Sequence, residues 1–272
     1  MATCYRHPNR ETRVSCSNCG RPICPECMTP TPVGMRCPEC ASQRTRVTRG
    51  VGEASAFARA PATFVLIAIN VAVFLAEIAS GQGGFEEIAS SLIPEFGLFG
   101  PLVASGETYR LFTSAFLHAG FLHIAGNMIL LYFLGRILEP GVGTPRFVAV
   151  YLVSLFAGSL GALVLSPDSL TFGASGAVFG VTAATFVIAR GRGVDALAST
   201  IGVIILFNLA FSFGVAGISI GAHLGGLAAG FLCALLILAG ERGMLGERHF
   251  PAEMVAMTAL GILSIALAIA VA

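Results

Sequence analysis

Lysine and tryptophan are absent from this chain, and charge of either sign is scarce: charged residues make up 11% of its 272 positions. A soluble globular protein carries roughly 25% charged residues, so the shortage excludes a water-facing surface over most of the chain. No apolar stretch of secretory-signal type precedes the first 40 residues, and the N-terminal part is therefore expected not to be exported on its own. What is present instead is apolar. Hydrophobic residues reach 55% and the mean hydropathy is +0.82, the composition of a membrane protein. The net charge of +1 says little, but its distribution is informative. All 16 basic residues are Arg, nine of them lie within the first 59 residues, and seven of the eight cysteines fall between positions 4 and 40. The chain divides into a Cys/Arg-rich head and an apolar body.

The head reads Cys4-x2-His7, Cys16-x2-Cys19, Cys24-x2-Cys27 and Cys37-x2-Cys40. A two-residue gap lets a tight turn aim both side chains at one ion, and four such pairs supply donors for two tetrahedral sites. With few large apolar residues, the head has to draw its stability from metal. A disulfide framework would need an oxidising compartment and would leave His7 without a role. The spacing resembles the B-box type of zinc finger, whose ligands interleave. That resemblance implies one zinc on Cys4, His7, Cys24 and Cys27 and a second on Cys16, Cys19, Cys37 and Cys40; sequential pairing is the alternative. No donor is left over for an open metal position, so the zinc ions would be structural. The head is then expected to dock a cytoplasmic protein partner; nucleic acid is not an expected partner.

Arg44, Arg46, Arg49 and Arg59 mark residues 41–60 as a juxtamembrane linker, able to rest on anionic membrane lipid. Beyond it, seven apolar segments approach the ~20 residues of a spanning helix. They cover 61–80, 119–139, 146–166, 172–189, 196–213, 218–239 and 252–271. The expected fold is an all-α polytopic membrane protein: a head over 1–40, the linker over 41–60, a six-helix core over 61–240, and a cytoplasmic connection with a seventh helix over 241–272. With the head inside, Arg136, Arg146, Arg190, Arg192, Arg242 and Arg248 all fall in cytoplasmic connections. Fifteen of the 16 arginines are then inside, Arg110 being the exception. The positive-inside rule thus predicts a cytoplasmic N-terminus and an outer C-terminus, and the expected location is the plasma membrane.

This topology gives the polar residues of the spans a common depth. The fourth and sixth spans run inward, and Ser175 and His223 lie a few residues into each, roughly 8 Å deep at about 1.5 Å per residue. The second span also runs inward and carries His123 and Asn127 on one helical face. Polar groups in hydrocarbon are functional candidates by default. A serine beside a histidine is an activated nucleophile, and donors from His123, Asn127 and the backbone at Ser175 could hold an oxyanion. Small-x3-small pairs at Gly176/Gly180, Gly221/Gly225 and Gly226/Gly230 would let the fourth and sixth helices approach closely.

Gly173-Ala-Ser175-Gly176, Ala222-His223-Leu-Gly225, His118-x4-His123-x3-Asn127 and Gly135-x3-Glu139-x3-Gly143, in this order of spans, resemble the rhomboid intramembrane serine proteases. The resemblance covers about residues 61 to 240. It implies a dyad of Ser175 as nucleophile and His223 as base, an oxyanion site using His123 and Asn127, no catalytic cofactor, and another protein's transmembrane helix as substrate. The family's Trp-Arg pair in the first outer loop is Tyr109-Arg110 here, and Phe179 stands where some members carry Tyr. Neither Asp168 nor Asp195 is placed to orient His223, so no third member is expected. His118 is expected to be structural, as are Arg136 and Glu139, and Asn208 to bridge helices. The reading from a different class is a catalytically silent escort factor for membrane proteins. A solute transporter would want discontinuous helices or ionisable groups at mid-membrane.

Overall fold

The computed structural model describes residues 2–31, 34–42, 56–83, 88–215, 217–246 and 249–272. Arg44, Arg46 and Arg49 of the linker, the loop acids Glu86 and Glu87, and Arg248 lie outside the described residues. The chain forms two units, Met1–Glu53 and Ala54–Ala272, each with its own core.

The head is built from short antiparallel hairpins, Ala2–Thr3 with Glu11–Thr12 and Thr29–Thr31 with Gly34–Arg36, followed by a one-turn helix at Pro38–Ser42. Its buried cluster is six cysteines and Ile23, with Tyr5 and Met28 packed against it. That is too little aliphatic surface to hold 40 residues together by burial alone.

An apolar body in lipid must satisfy its backbone internally, and here it does so with helices. Seven long ones, labelled α1 to α7, are Pro61–Ser80, Phe121–Val142, Thr144–Leu165, Ser175–Gly191, Asp195–Gly214, Ile220–Glu241 and His249–Val271. Among the described residues, all but α4 are long and apolar enough to cross a membrane. The protein is an integral membrane protein of the all-α polytopic class. Every end of the seven helices falls within three residues of the position expected from sequence; the informative difference is at the start of α4. The apolar pattern predicts helix from residue 172, yet the helix begins only at Ser175. Gly173 takes φ +125°, which L side chains rarely adopt, and its N–H donates to the Ser114 carbonyl at 2.8 Å. A non-helical segment therefore leads into α4, whose 17 residues span only about 25 Å against about 30 Å of hydrocarbon.

At one end of the bundle, the buried carboxylates Glu139 and Glu253 tie helices together. Glu139, near the end of α2, accepts from the backbone N–H groups of Ala62 and Thr63 at 2.9 and 2.8 Å, from the Thr63 hydroxyl, and from Thr144. Those N–H groups are orphan donors at the start of α1, so a side chain from α2 caps α1 with the charge its dipole favours. Glu253 of α7, fully buried, pairs with Arg146 of α3 at 2.5 Å and ties the seventh helix to the bundle.

The long loop after α1 carries a hairpin and three short helices at Leu92–Phe96, Gly100–Ala104 and Arg110–Thr113. Arg110 organises it: buried, it donates to the carbonyls of Pro94 and Gly97 and to Glu107. Tyr109 donates to the same carboxylate at 2.8 Å, and these two donors hold the Glu107 carboxyl below the ordinary carboxylate range. Tyr109 and Arg110 thus act as a unit on Glu107.

Candidate active site

In the head, the two predicted ligand sets each come together. The ligand atoms of Cys4, His7, Cys24 and Cys27 lie within 4.8 Å of one another, and so do those of Cys16, Cys19, Cys37 and Cys40. The pairing is interleaved. His7 Nδ1 faces Cys24 and Cys27 Sγ at 3.3 and 3.4 Å, and Cys4–Cys27 and Cys19–Cys37 are 3.9 and 3.8 Å apart. Four thiolates at about 2.3 Å from a tetrahedral ion would stand about 3.8 Å from each other, so the donor set fits a zinc-sized cation. Burial works against ionisation of Cys4 and Cys16, yet backbone N–H donors lower both to about 6. Burial and the neighbouring thiols push Cys27 up to about 11. A divalent cation would remove that mutual repulsion. Either cluster could hold a metal.

In the membrane unit, the fourth and sixth helices meet along glycine. A Cβ added to Gly226 would stand 1.9 Å from the Gly176 carbonyl oxygen, and one added to Gly230 would stand 2.0 Å from that of Gly180. These positions admit only hydrogen, and the backbones of α4 and α6 touch as a result. The other expected pair, Gly221/Gly225, serves a different partner: it packs α6 against Gly161 and Ala157 of α3. Two glycine faces on one helix thereby seat α6 between α3 and α4.

That seating brings Ser175 Oγ within 2.8 Å of His223 Nε2. His223 is buried at 5% exposure, and the ring of Phe179, one turn beyond Ser175, stacks on it at 4.1 Å and 17°. His123 lies on the other side of Gly173, whose added Cβ would come 2.7 Å from His123 Nε2 and 4.0 Å from Ser175 Oγ. Asn127 is buried one turn further along α2, its amide donating to the His123 carbonyl at 3.0 Å. The four residues picked from the sequence are gathered around the start of α4. The N-terminal N–H groups of that helix point the same way, with the positive end of its dipole.

Three further residues have places of their own. His118 is buried with its ring edge-on to His123 at 4.9 Å. Its backbone N–H donates to both oxygens of Glu77 at 3.0 Å. Glu77, a carboxylate buried on α1, is a further polar residue that the sequence analysis did not single out. Asn208 does not bridge helices; its amide donates back to the Ile204 carbonyl of its own helix.

The other residue missed was Ser212. Its hydroxyl lies 2.8 Å from His223 Nδ1, on the side of the ring away from Ser175, and is 3% exposed. Neither Asp168 nor Asp195 occupies that place. Ser212 sits in an apolar run at the C-terminal end of α5, and the available signal was depth: α5 ends in the layer where α6 begins.

Comparison with known proteins gives a consistent picture. A rhomboid-domain family model matches residues 105–240. The chain is 34% identical over 205 residues to the rhomboid protease GluP of Bacillus subtilis (strain 168), covering 74% of this chain and 39% of that protein. It is 37% identical over 138 residues to the putative rhomboid protease YdcA of the same organism, covering 49% of this chain and 69% of that one. RHOMBOID-like protein 1 of Arabidopsis thaliana is 34% identical over 158 residues, covering 55% and 40%. The chain thus spans 39% and 40% of the length of GluP and RHOMBOID-like protein 1.

Proposed function

The chain belongs to the rhomboid family, and from that premise we propose that it is a serine endopeptidase that cuts transmembrane helices of other proteins within the membrane. One observation carries the reading: a serine hydroxyl 2.8 Å from an imidazole nitrogen, inside an apolar helical bundle. In the reaction, Ser175 Oγ attacks the scissile carbonyl carbon while its proton passes to His223 Nε2. The carbonyl oxygen becomes an oxyanion. Its collapse breaks the C–N bond, and the departing amine takes the proton from His223, leaving an acyl-serine. Water then attacks the ester, giving one proton to His223, which returns it to Ser175 as the acid leaves. His123 Nε2, the Asn127 amide once it turns from the His123 carbonyl, and the backbone at Ser175 are the proposed oxyanion donors.

The arginine distribution supports a cytoplasmic head and an outer C-terminus, and we place the chain in the plasma membrane. Cleavage would then fall near the outer leaflet. We assign the head, residues 1–40, as a two-zinc docking module for a cytoplasmic protein, joined by the linker 41–60 to the catalytic core 61–240 and to the segment 241–272 with the seventh helix.

The test is cleavage of a panel of model transmembrane substrates by purified protein. Ser175→Ala is expected to lose at least about 10³-fold in kcat. A wild type that cleaves no better than Ser175→Ala on every substrate would sink the reading and favour the escort role.

A further inference from the structure

We infer that Ser212 is a positioning residue for the Ser175–His223 pair: its hydroxyl selects the imidazole tautomer that carries hydrogen on Nδ1 and leaves Nε2 free to take the serine's proton. The inference rests on the protease reading for its consequence, but the tautomer choice is independent of it.

Counting protons gives the assignment. A serine hydroxyl has one hydrogen to give. Ser212 Oγ stands 2.6 Å from the Asn208 carbonyl oxygen. A carbonyl can only accept, so that contact consumes the hydrogen. The second contact, 2.8 Å to His223 Nδ1, is then a hydrogen bond only if Nδ1–H donates to the hydroxyl oxygen. A neutral imidazole carries one N–H, so Nε2 is bare. The 2.8 Å contact to Ser175 is accordingly O–H to nitrogen. The chain of donors runs one way, from Ser175 through His223 and Ser212 to the backbone of α5.

The opposite tautomer would turn Nε2–H toward Ser175 and set the Nδ1 lone pair against an oxygen whose proton is committed elsewhere. Relief would require Ser212 to abandon the Asn208 carbonyl. Water cannot cheaply fill the gap, because Ser212 and His223 are 3% and 5% exposed. The Phe179 ring against the imidazole face also prevents it from tilting toward another acceptor. When His223 takes up the serine proton, the Nδ1–H bond to Ser212 becomes charge-assisted and strengthens, as a transition-state interaction should. A neutral hydroxyl thus does the orienting for which the sequence offered no carboxylate.

The experiment compares wild type, Ser212→Ala and Ser212→Thr, with Ser175→Ala as the inactive reference, all as full chains in nanodiscs. Where wild type cleaves, Ser212→Ala is expected to lose roughly tenfold in kcat, the worth of one neutral hydrogen bond, with KM within about twofold. Ser212→Thr, which keeps the hydroxyl, is expected to recover most of that loss. The second readout is the nitrogen spectrum of 15N-histidine protein, made also on the Ser175→Ala background. Its His223 signals are expected to show protonated Nδ1 while the Ser212 hydroxyl is present, and a mixture of tautomers in Ser212→Ala. Identical His223 spectra with and without the Ser212 hydroxyl, or an active Ser212→Ala enzyme within twofold of wild-type kcat, overturn the inference. If no substrate is cut by wild type yet the spectrum changes on removing the hydroxyl, the protease reading fails while the tautomer assignment holds.

Discussion

A histidine works as a base only while its ring keeps its plane and its free nitrogen faces the proton to be taken. At the start of α4 the plane is set by Phe179, stacked on His223 at 4.1 Å, and the nitrogen by the contact at the far side of the ring. Phe179→Leu keeps most of the volume and removes the flat surface. It should cost less than about 1.5 kcal/mol of stability yet lower kcat, whereas Phe179→Tyr, which keeps the stack, should cleave at a rate close to wild type. Thermal unfolding measured beside cleavage separates the two effects; a Leu variant as fast as wild type would show that the ring does not hold the imidazole. Ser175 and His223 could be read from sequence because each stands in a short run of small residues at a depth the arginines define. Ser212 could not. It lies eleven positions before His223 in an unremarkable apolar stretch, and no spacing rule relates two residues separated by a helix end, a turn and a new helix. Glu77 stood out by its place in a span, but its partner, the His118 N–H, comes from another segment that no spacing links to it.

At the level of helices, small residues decide which surfaces touch. The sequence marked the small-x3-small pairs, and the structure assigns them to two neighbours, α3 and α4. Spacing shows that a face is flat but not what lies against it. The start of α4 was also hidden, since Phe172–Ala174 are as apolar as the helix they precede, and only the φ of Gly173 excludes them from it. The α4–α6 contact is the one that sets the distance from Ser175 to His223. In Gly226→Ala the new methyl would meet the Gly176 carbonyl at 1.9 Å, and backbone cannot swing aside as a side chain can. The helices must part, at a cost of about 1–3 kcal/mol. A displacement of roughly 1 Å at reacting groups costs on the order of 10²-fold in rate, so cleavage should fall further than stability does. Gly202→Ala on α5, where the added methyl meets only the Phe186 ring at 3.4 Å, serves as the matched substitution and is expected to be near neutral. Equal activity in the two variants would show that close approach of α4 and α6 is not what holds the pair together.

Across the whole chain, two different sources of stability operate. The membrane unit has an extended apolar core in which Phe147, Tyr151, Leu131 and Ile237 are fully buried. Among the described residues, the head has only Ile23 among its buried cysteines, with Tyr5 and Met28 partly covering them. Burial of so few aliphatic groups supplies a few kcal/mol at most, while structural zinc in small modules contributes about 10–16 kcal/mol per site. Metal should therefore control the fold of one unit and not the other. Protein purified without chelator is expected to contain two zinc ions per chain by metal analysis. Prolonged chelation should then open the head, seen as rapid proteolysis at Arg6, Arg10, Arg13 and Arg36, with little change in the helical circular-dichroism signal. Cleavage of a short transmembrane substrate should persist, because Ser175, His223 and Ser212 are all held by the membrane unit's own helices. Two outcomes would refute this division of labour: a head that resists protease equally with and without chelator, or a helical signal that collapses together with the head. In the first case the hairpins and Ile23 would suffice as a core; in the second the metal would be supporting the bundle as well.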